Sequence, residues 1–69
     1  MSGFQIVDGG RLRELRRERM LSQTELAVIV GTTQATVSAL ERGDRQAQPR
    51  TVRRLADVLG VEPAELVKK

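Results

Sequence analysis

The sequence has no cysteine and no histidine. The first absence rules out disulfide staples. Together the two remove the usual zinc ligands, so no metal site is expected. Without imidazole or thiol, without a phosphate-binding glycine loop, and without a nucleophile that has a base beside it, nothing supports an enzyme or a cofactor. Tryptophan and tyrosine are also missing, and Phe4 is the single aromatic residue. No apolar run approaches the roughly 18 residues that a membrane helix needs, so no membrane partner is expected. No basic segment followed by a long apolar run marks a signal peptide, and a cytoplasmic protein is the expectation. In a chain of 69 residues these absences leave one small domain. A core of that size is marginal unless helices pack closely or a second subunit adds buried surface.

What is present is helical punctuation and arginine. Lysine and arginine total 12 against 9 acidic residues, for a formal charge of +3 and a pI near 10.6, and ten of the basic residues are arginine. That mild excess points to a polyanionic partner, and arginine suits bidentate phosphate and guanine contacts. A coding bias together with a solvated surface would also account for much of the count.

Residues 22–43 organise the chain. Ser22 reads as an N-cap with Glu25 closing a capping box, and Leu21 with Leu26 reads as the staple of the same helix. Gly31 stands where that helix must stop, in a position suited to the left-handed turn. Thr33 caps a second helix with Val37 and Leu40 on one face, and Gly43 ends it. Two short helices about a glycine turn have the layout of a DNA-binding helix-turn-helix. In that layout the second helix, Gln34 to about Arg42, enters the major groove and turns Gln34, Ala35, Ser38 and Ala39 outward. A glutamine amide can accept from adenine N6 and donate to N7. Ala35 can pack on a thymine methyl, Ser38 has modest reach, and Ala39 makes no hydrogen bond. Outside this setting Gln34 would be an ordinary surface glutamine. The helix starts also favour phosphate through their free N–H groups, with Gln23, Thr33 and Thr36 adding side-chain contacts.

Gln23, Glu25, Leu26, Ala27, Gly31, Thr33, Gln34, Val37, Ser38, Leu40, Glu41, Arg42 and Gly43, at these spacings, resemble the phage repressor and Cro class of helix-turn-helix proteins. The likeness runs from about Gly9 to Val67. It implies an all-α, compact, five-helix lambda-repressor-like domain over residues 8–69, preceded by an arm over 1–7. It also implies a sequence-specific regulator of transcription, in the simplest case a repressor, that binds a palindromic double-stranded operator as a homodimer and is associated with the nucleoid. By the same resemblance Arg16 pairs with Glu41 and lies near a phosphate. Val61, Pro63, Leu66 and Val67 are then the dimer candidates. An antitoxin-type module, with a toxin or another regulator as its protein partner, is the alternative.

The rest of the chain is read in order. Phe4 and Ile6 alternate with polar neighbours, which predicts a loosely ordered extended arm. Helix 1 is expected from an N-cap at Asp8 to about Arg19, stapled by Val7 and Leu12, with Gly9 and Gly10 weakening its first turn. Helix 2 spans Gln23 to Val30. Its Val28 and Ile29 look outward where the resembled family is polar; they are either ordinary exposed residues or covered by the arm or another chain. Residues 44–50 form a loop whose Arg45 and Arg50 are placed for phosphates. The likeness suggests a minor-groove role for Arg50, although this loop is one residue longer than in the related sequences. Helix 4 runs from Pro49 or Thr51 to Leu59, with Val52, Leu55, Ala56 and Leu59 as its core stripe and Arg53 and Arg54 solvated. Pro63 opens a fifth helix to about Lys68, followed by a frayed basic tail.

Overall fold

The computed structural model describes residues 3–68. Met1 and Ser2 of the expected arm and Lys69 of the expected tail lie outside the described residues. In chain order the elements are β1 (Gln5–Ile6), α1 (Gly9–Glu18), α2 (Gln23–Val30), α3 (Gln34–Arg42), β2 (Gln46–Ala47), α4 (Pro49–Leu59) and a single 3-10 turn (Pro63–Glu65). Among the described residues the fold has four α-helices rather than the five expected, together with a small sheet that the sequence does not announce.

Local chemistry explains where each helix begins and stops. Asp8 accepts from the Arg11 amide at 3.1 Å and caps α1. Ser22 and Glu25 complete a reciprocal capping box on α2, at 3.0 and 2.8 Å. Gly31, Gly43 and Gly60 end α2, α3 and α4 in the left-handed conformation. The stop after α1 is different, because no glycine is there. Met20 itself takes φ 59° and stands 89% exposed. Its amide donates to Arg17 at 2.9 Å while Leu21 donates to Arg16 at 3.2 Å, which completes a Schellman turn without the usual residue.

The core collects one face from each helix: Leu12 and Leu15 of α1, Leu26, Ala27 and Val30 of α2, Val37 and Leu40 of α3, and Val52, Leu55, Ala56 and Leu59 of α4. Each buried leucine or valine contributes about 1.5–3 kcal/mol relative to exposure. Two arginines tie helix ends together from outside this core. Arg19 donates to the Leu59 carbonyl at 3.0 Å, and Arg54 to the Val30 carbonyl at 3.4 Å. Arg54 is therefore not simply solvated; its cation sits at the C-terminal end of α2, where the helix dipole favours positive charge.

The arm is extended, as its alternation suggests, but it is not loose. Gln5 faces Ala47 and Ile6 faces Gln46 in an antiparallel pair. On the other side Val7 bridges Val67, Lys68 donates to the Ile6 carbonyl at 2.9 Å, and Asp8 donates to that of Leu66 at 2.7 Å. Residues 5–7 therefore lie between the α3–α4 connection and the C-terminal segment, and Val7 is a core residue at 2% exposure. This pairing also explains the missing fifth helix. After one 3-10 turn, Val67 must be extended to meet Val7, so the segment from Pro63 cannot continue to Lys68 as a helix. The idea that the arm covers Val28 and Ile29 is corrected too: they remain 73% and 56% exposed, and Phe4 and Ile6 are 62% and 54% exposed. Among the described residues, no helix is long and apolar enough to cross a membrane.

Candidate nucleic-acid interface

Helix α3 is fixed in rotation by Val37 and Leu40, which are fully buried. That leaves Gln34 and Ala35 exposed at its N-terminal end. Ser38 and Ala39 are only half-exposed, and the Ser38 hydroxyl oxygen accepts from Arg42, which also donates to Asp44 at 2.9 Å. The outward surface is therefore narrower than the four residues expected, and is centred on Gln34 and Ala35. Thr33 caps the helix, accepting from the Thr36 amide at 3.1 Å and donating to the Thr36 hydroxyl at 3.0 Å.

Behind Gln34 runs a continuous chain of polar contacts into the interior. Gln34 Nε2 donates to Gln23 Oε1 at 2.7 Å. Gln23 Nε2 donates to Glu41 Oε1 at 3.0 Å. Glu41 receives Arg16 Nε on its other oxygen at 2.6 Å and Arg16 Nη2 on the shared one at 3.1 Å. Arg16 Nη1 ends the chain on the Leu21 carbonyl at 2.8 Å. The Arg16 and Glu41 side chains are 10% and 4% exposed. Burial pushes the Glu41 carboxyl up, but hydrogen bonds from Arg16 and Gln23 and the charge of Arg16 outweigh it and hold the group below its ordinary value. The hydrogen bond from Arg16 to Glu41 raises the guanidinium further, against the opposing effect of burial. Both groups are charged at neutral pH. The pair joins α1 to α3, and the capping end of α2 is hung from it through Gln23.

α1 meets α3 this closely because of Gly9. A side-chain carbon there would stand 2.2 Å from the Glu41 carbonyl oxygen. By local propensity Gly9 only weakens the first turn of α1; its use is the crossing of two backbones, which propensity does not report.

The other expected contact residues divide into two groups. Thr36 and Arg45 line one groove with Phe4, Thr32 and Thr51, beside α3 and the start of α4. Arg50 lies with Phe4, Gln48 and Pro49 on the neighbouring surface. Phe4 thus joins both sets of arginine-bearing residues. Gln23 is half-buried in the chain of contacts, and Thr33 is exposed. Arg16 does not join them: its guanidinium is committed to Glu41 and to the Leu21 carbonyl, which leaves little surface for a phosphate. Of the dimer candidates, Leu66 is at 0% exposure in the core and is withdrawn from that role. Val61 and Val67 are half-buried against the core, and Pro63 is exposed.

Comparison with known proteins gives this geometry a setting. Residues 12–66 match the helix-turn-helix family. The chain is similar to the uncharacterized HTH-type transcriptional regulator RghRB of Bacillus subtilis (strain 168), 48% identical over 54 residues, 77% of this chain and 39% of that protein. The chain thus spans well under half the length of that relative. Among solved structures it resembles the restriction-modification controller protein C.AhdI from Aeromonas hydrophila, at TM-score 0.77 and 42% identity over 83% of this chain and 86% of that one. It also resembles the P22 c2 repressor in complex with a synthetic operator, at TM-score 0.85 and 26% identity over 90% and 94% of the two chains.

Proposed function

The chain belongs to the Cro/C1-type helix-turn-helix family of DNA-binding regulators, and from that premise we propose that it is a sequence-specific transcriptional regulator, most simply a repressor, acting on a palindromic double-stranded operator as a homodimer. The observation that carries this reading is the outward Gln34 amide at the start of α3, held from behind by Gln23. An α-helix fits the major groove, and an oriented glutamine amide is complementary to the adenine edge. Ala35 beside it offers a methyl to thymine. Thr33, Thr36, Arg45, Arg50 and the N–H groups at the starts of α2 and α3 supply phosphate contacts, which set affinity and its dependence on salt. Val61, Pro63 and Val67 form the surface through which two copies meet, placing the α3 helices about 34–36 Å apart, one helical turn of DNA.

Selection of bound sites from a random duplex library, at moderate salt, tests the proposal. Enrichment of an inverted repeat with an A·T pair opposite Gln34 is the expected result. Retention of DNA without any enriched sequence would reduce the reading to backbone binding, and no retention would end it.

A second reading, a protein-interaction module of the antitoxin kind, draws on the exposure of Val28 and Ile29 on the outer face of α2. A partner held there would survive salt that releases DNA, and would survive Gln34→Ala.

A further inference from the structure

We infer that the Arg16–Glu41 pair, which does not face the groove, determines which base Gln34 selects, by fixing the donor and acceptor polarity of two glutamine amides in series; this rests on the base-reading role given to Gln34 above. A glutamine amide is nearly symmetric in shape but not in chemistry, and its two orientations present opposite hydrogen-bonding faces. Left alone on a helix surface, Gln34 would sample both.

The chain of contacts removes the choice one step at a time. An ionised carboxylate only accepts. Both Glu41 oxygens already receive Arg16 N–H groups, at 2.6 and 3.1 Å. Gln23, reaching the Oε1 atom at 3.0 Å, has to present its NH2 end, since its carbonyl would meet a like lone pair. That turns Gln23 Oε1 toward Gln34. Gln34 must then answer with an N–H, as it does at 2.7 Å. What remains of Gln34 for the groove is its Oε1 acceptor and its second N–H donor. That set matches adenine, which offers an N6 donor and an N7 acceptor. The reversed amide would turn two N–H donors outward, and would match the O6 and N7 acceptors of guanine. The polarity thus starts at a charged pair that Arg16 locks, and ends at a base edge two side chains away. Glu41, Arg16 and Gln23 are positioning residues in this scheme.

The test uses the selected operator and a copy carrying guanine at the adenine whose contribution disappears in Gln34→Ala. The wild-type chain should favour adenine by roughly tenfold or more, the size of one good bidentate contact. Glu41→Gln supplies an amide that can donate to Gln23 and reverse the series, so the ratio should fall to about threefold or less, or invert. Gln23→Met cuts the series while leaving both hydrogen bonds from Arg16 to Glu41 in place, and decides the matter if Glu41→Gln fails to fold. Its ratio should fall to the same level, because Gln34 is then free to turn. A role in folding alone would weaken both operators equally. A Gln23→Met chain that keeps the wild-type ratio would therefore overturn the inference while leaving the functional reading intact. A wild-type chain with no base preference at any position would overturn both.

Discussion

A methyl group added at Gly9 would lie 2.2 Å from the Glu41 carbonyl oxygen and 2.6 Å from that of Leu40, and both are backbone atoms that cannot turn aside. Helix propensity alone favours alanine over glycine by about 1 kcal/mol. Overpacking in a close crossing costs about 1–3 kcal/mol, and here it must part α1 from α3. Gly9→Ala should therefore lower stability in urea denaturation, with the opposite sign to the propensity effect; a stabilised variant would show that the two helices have room to spare. Met20 presents the reverse case. A left-handed non-glycine residue costs about 1–2 kcal/mol, and Met20 is 89% exposed, so little packing is lost on its removal. Met20→Gly should raise stability by about 0.5–1 kcal/mol after the greater freedom of the unfolded chain is counted. A lowered melting temperature would mean that the Met20 side chain makes a contribution that its exposure conceals.

At the scale of the elements, the tie between α1 and α3 carries a pH signature. The Glu41 carboxyl is held below its ordinary value near 4.5 in the folded chain. A depressed carboxylate stabilises above its unfolded value, and that contribution is lost as pH falls through the folded value. Arg16 is shifted upward, so its contribution persists throughout the acid range. Thermal melts should hold steady toward pH 5 and drop below about 4.5, and Glu41→Gln should flatten part of that drop while starting from a lower melting temperature at pH 7. An unchanged acid limb in Glu41→Gln would mean that other carboxylates set it. Glu25, lowered by its capping bonds from Ser22, is the obvious contributor. The sheet yields its own expectation. Deleting residues 1–6 removes the partner of β2 and the acceptor of the Lys68 amide, at a net cost of about 1 kcal/mol for each hydrogen bond lost. Equal melting temperatures with and without these residues would show that the arm is only resting on the fold.

These elements also mark how far the sequence could be read. The α2–α3 unit was legible almost to the residue, because Ser22, Glu25, Gly31, Thr33 and Gly43 are local signals that act through their own backbone. The α4 stripe was legible because its period is strong. The sheet was not, since two-residue strands leave no periodic trace and β1 and β2 lie far apart in the chain. The fifth helix is cut short for the same reason: Pro63 is a sound start signal, but a bridge from Val67 to Val7 overrides it after one 3-10 turn. In the candidate interface, Gln34 and Ala35 were readable from the face opposite Val37 and Leu40. The half-burial of Ser38, the capture of its oxygen by Arg42, and the link from Gln23 to Glu41 depend on rotamers and on helix crossings that spacing does not record.

At the scale of the molecule, an arginine-bearing groove and a small outward surface at the start of α3 lie on a core that no disulfide holds. Under the proposed function such a domain would gain affinity mainly from phosphates and specificity from few side chains, so specificity should be concentrated at the Gln34 contact in each half-site and fragile to one substitution. The direct measurement is the ratio of affinities for the selected operator and a scrambled duplex at one fixed salt concentration, for the wild-type chain and for Gln34→Ala. A ratio of about a thousand or more is expected for the wild type, which is the low end for specific DNA binding. In Gln34→Ala, which removes one contact from each half-site, that ratio should fall roughly thirtyfold or more while binding to the scrambled duplex stays the same. Equal ratios for the two chains, or a wild-type ratio near one, would contradict the account.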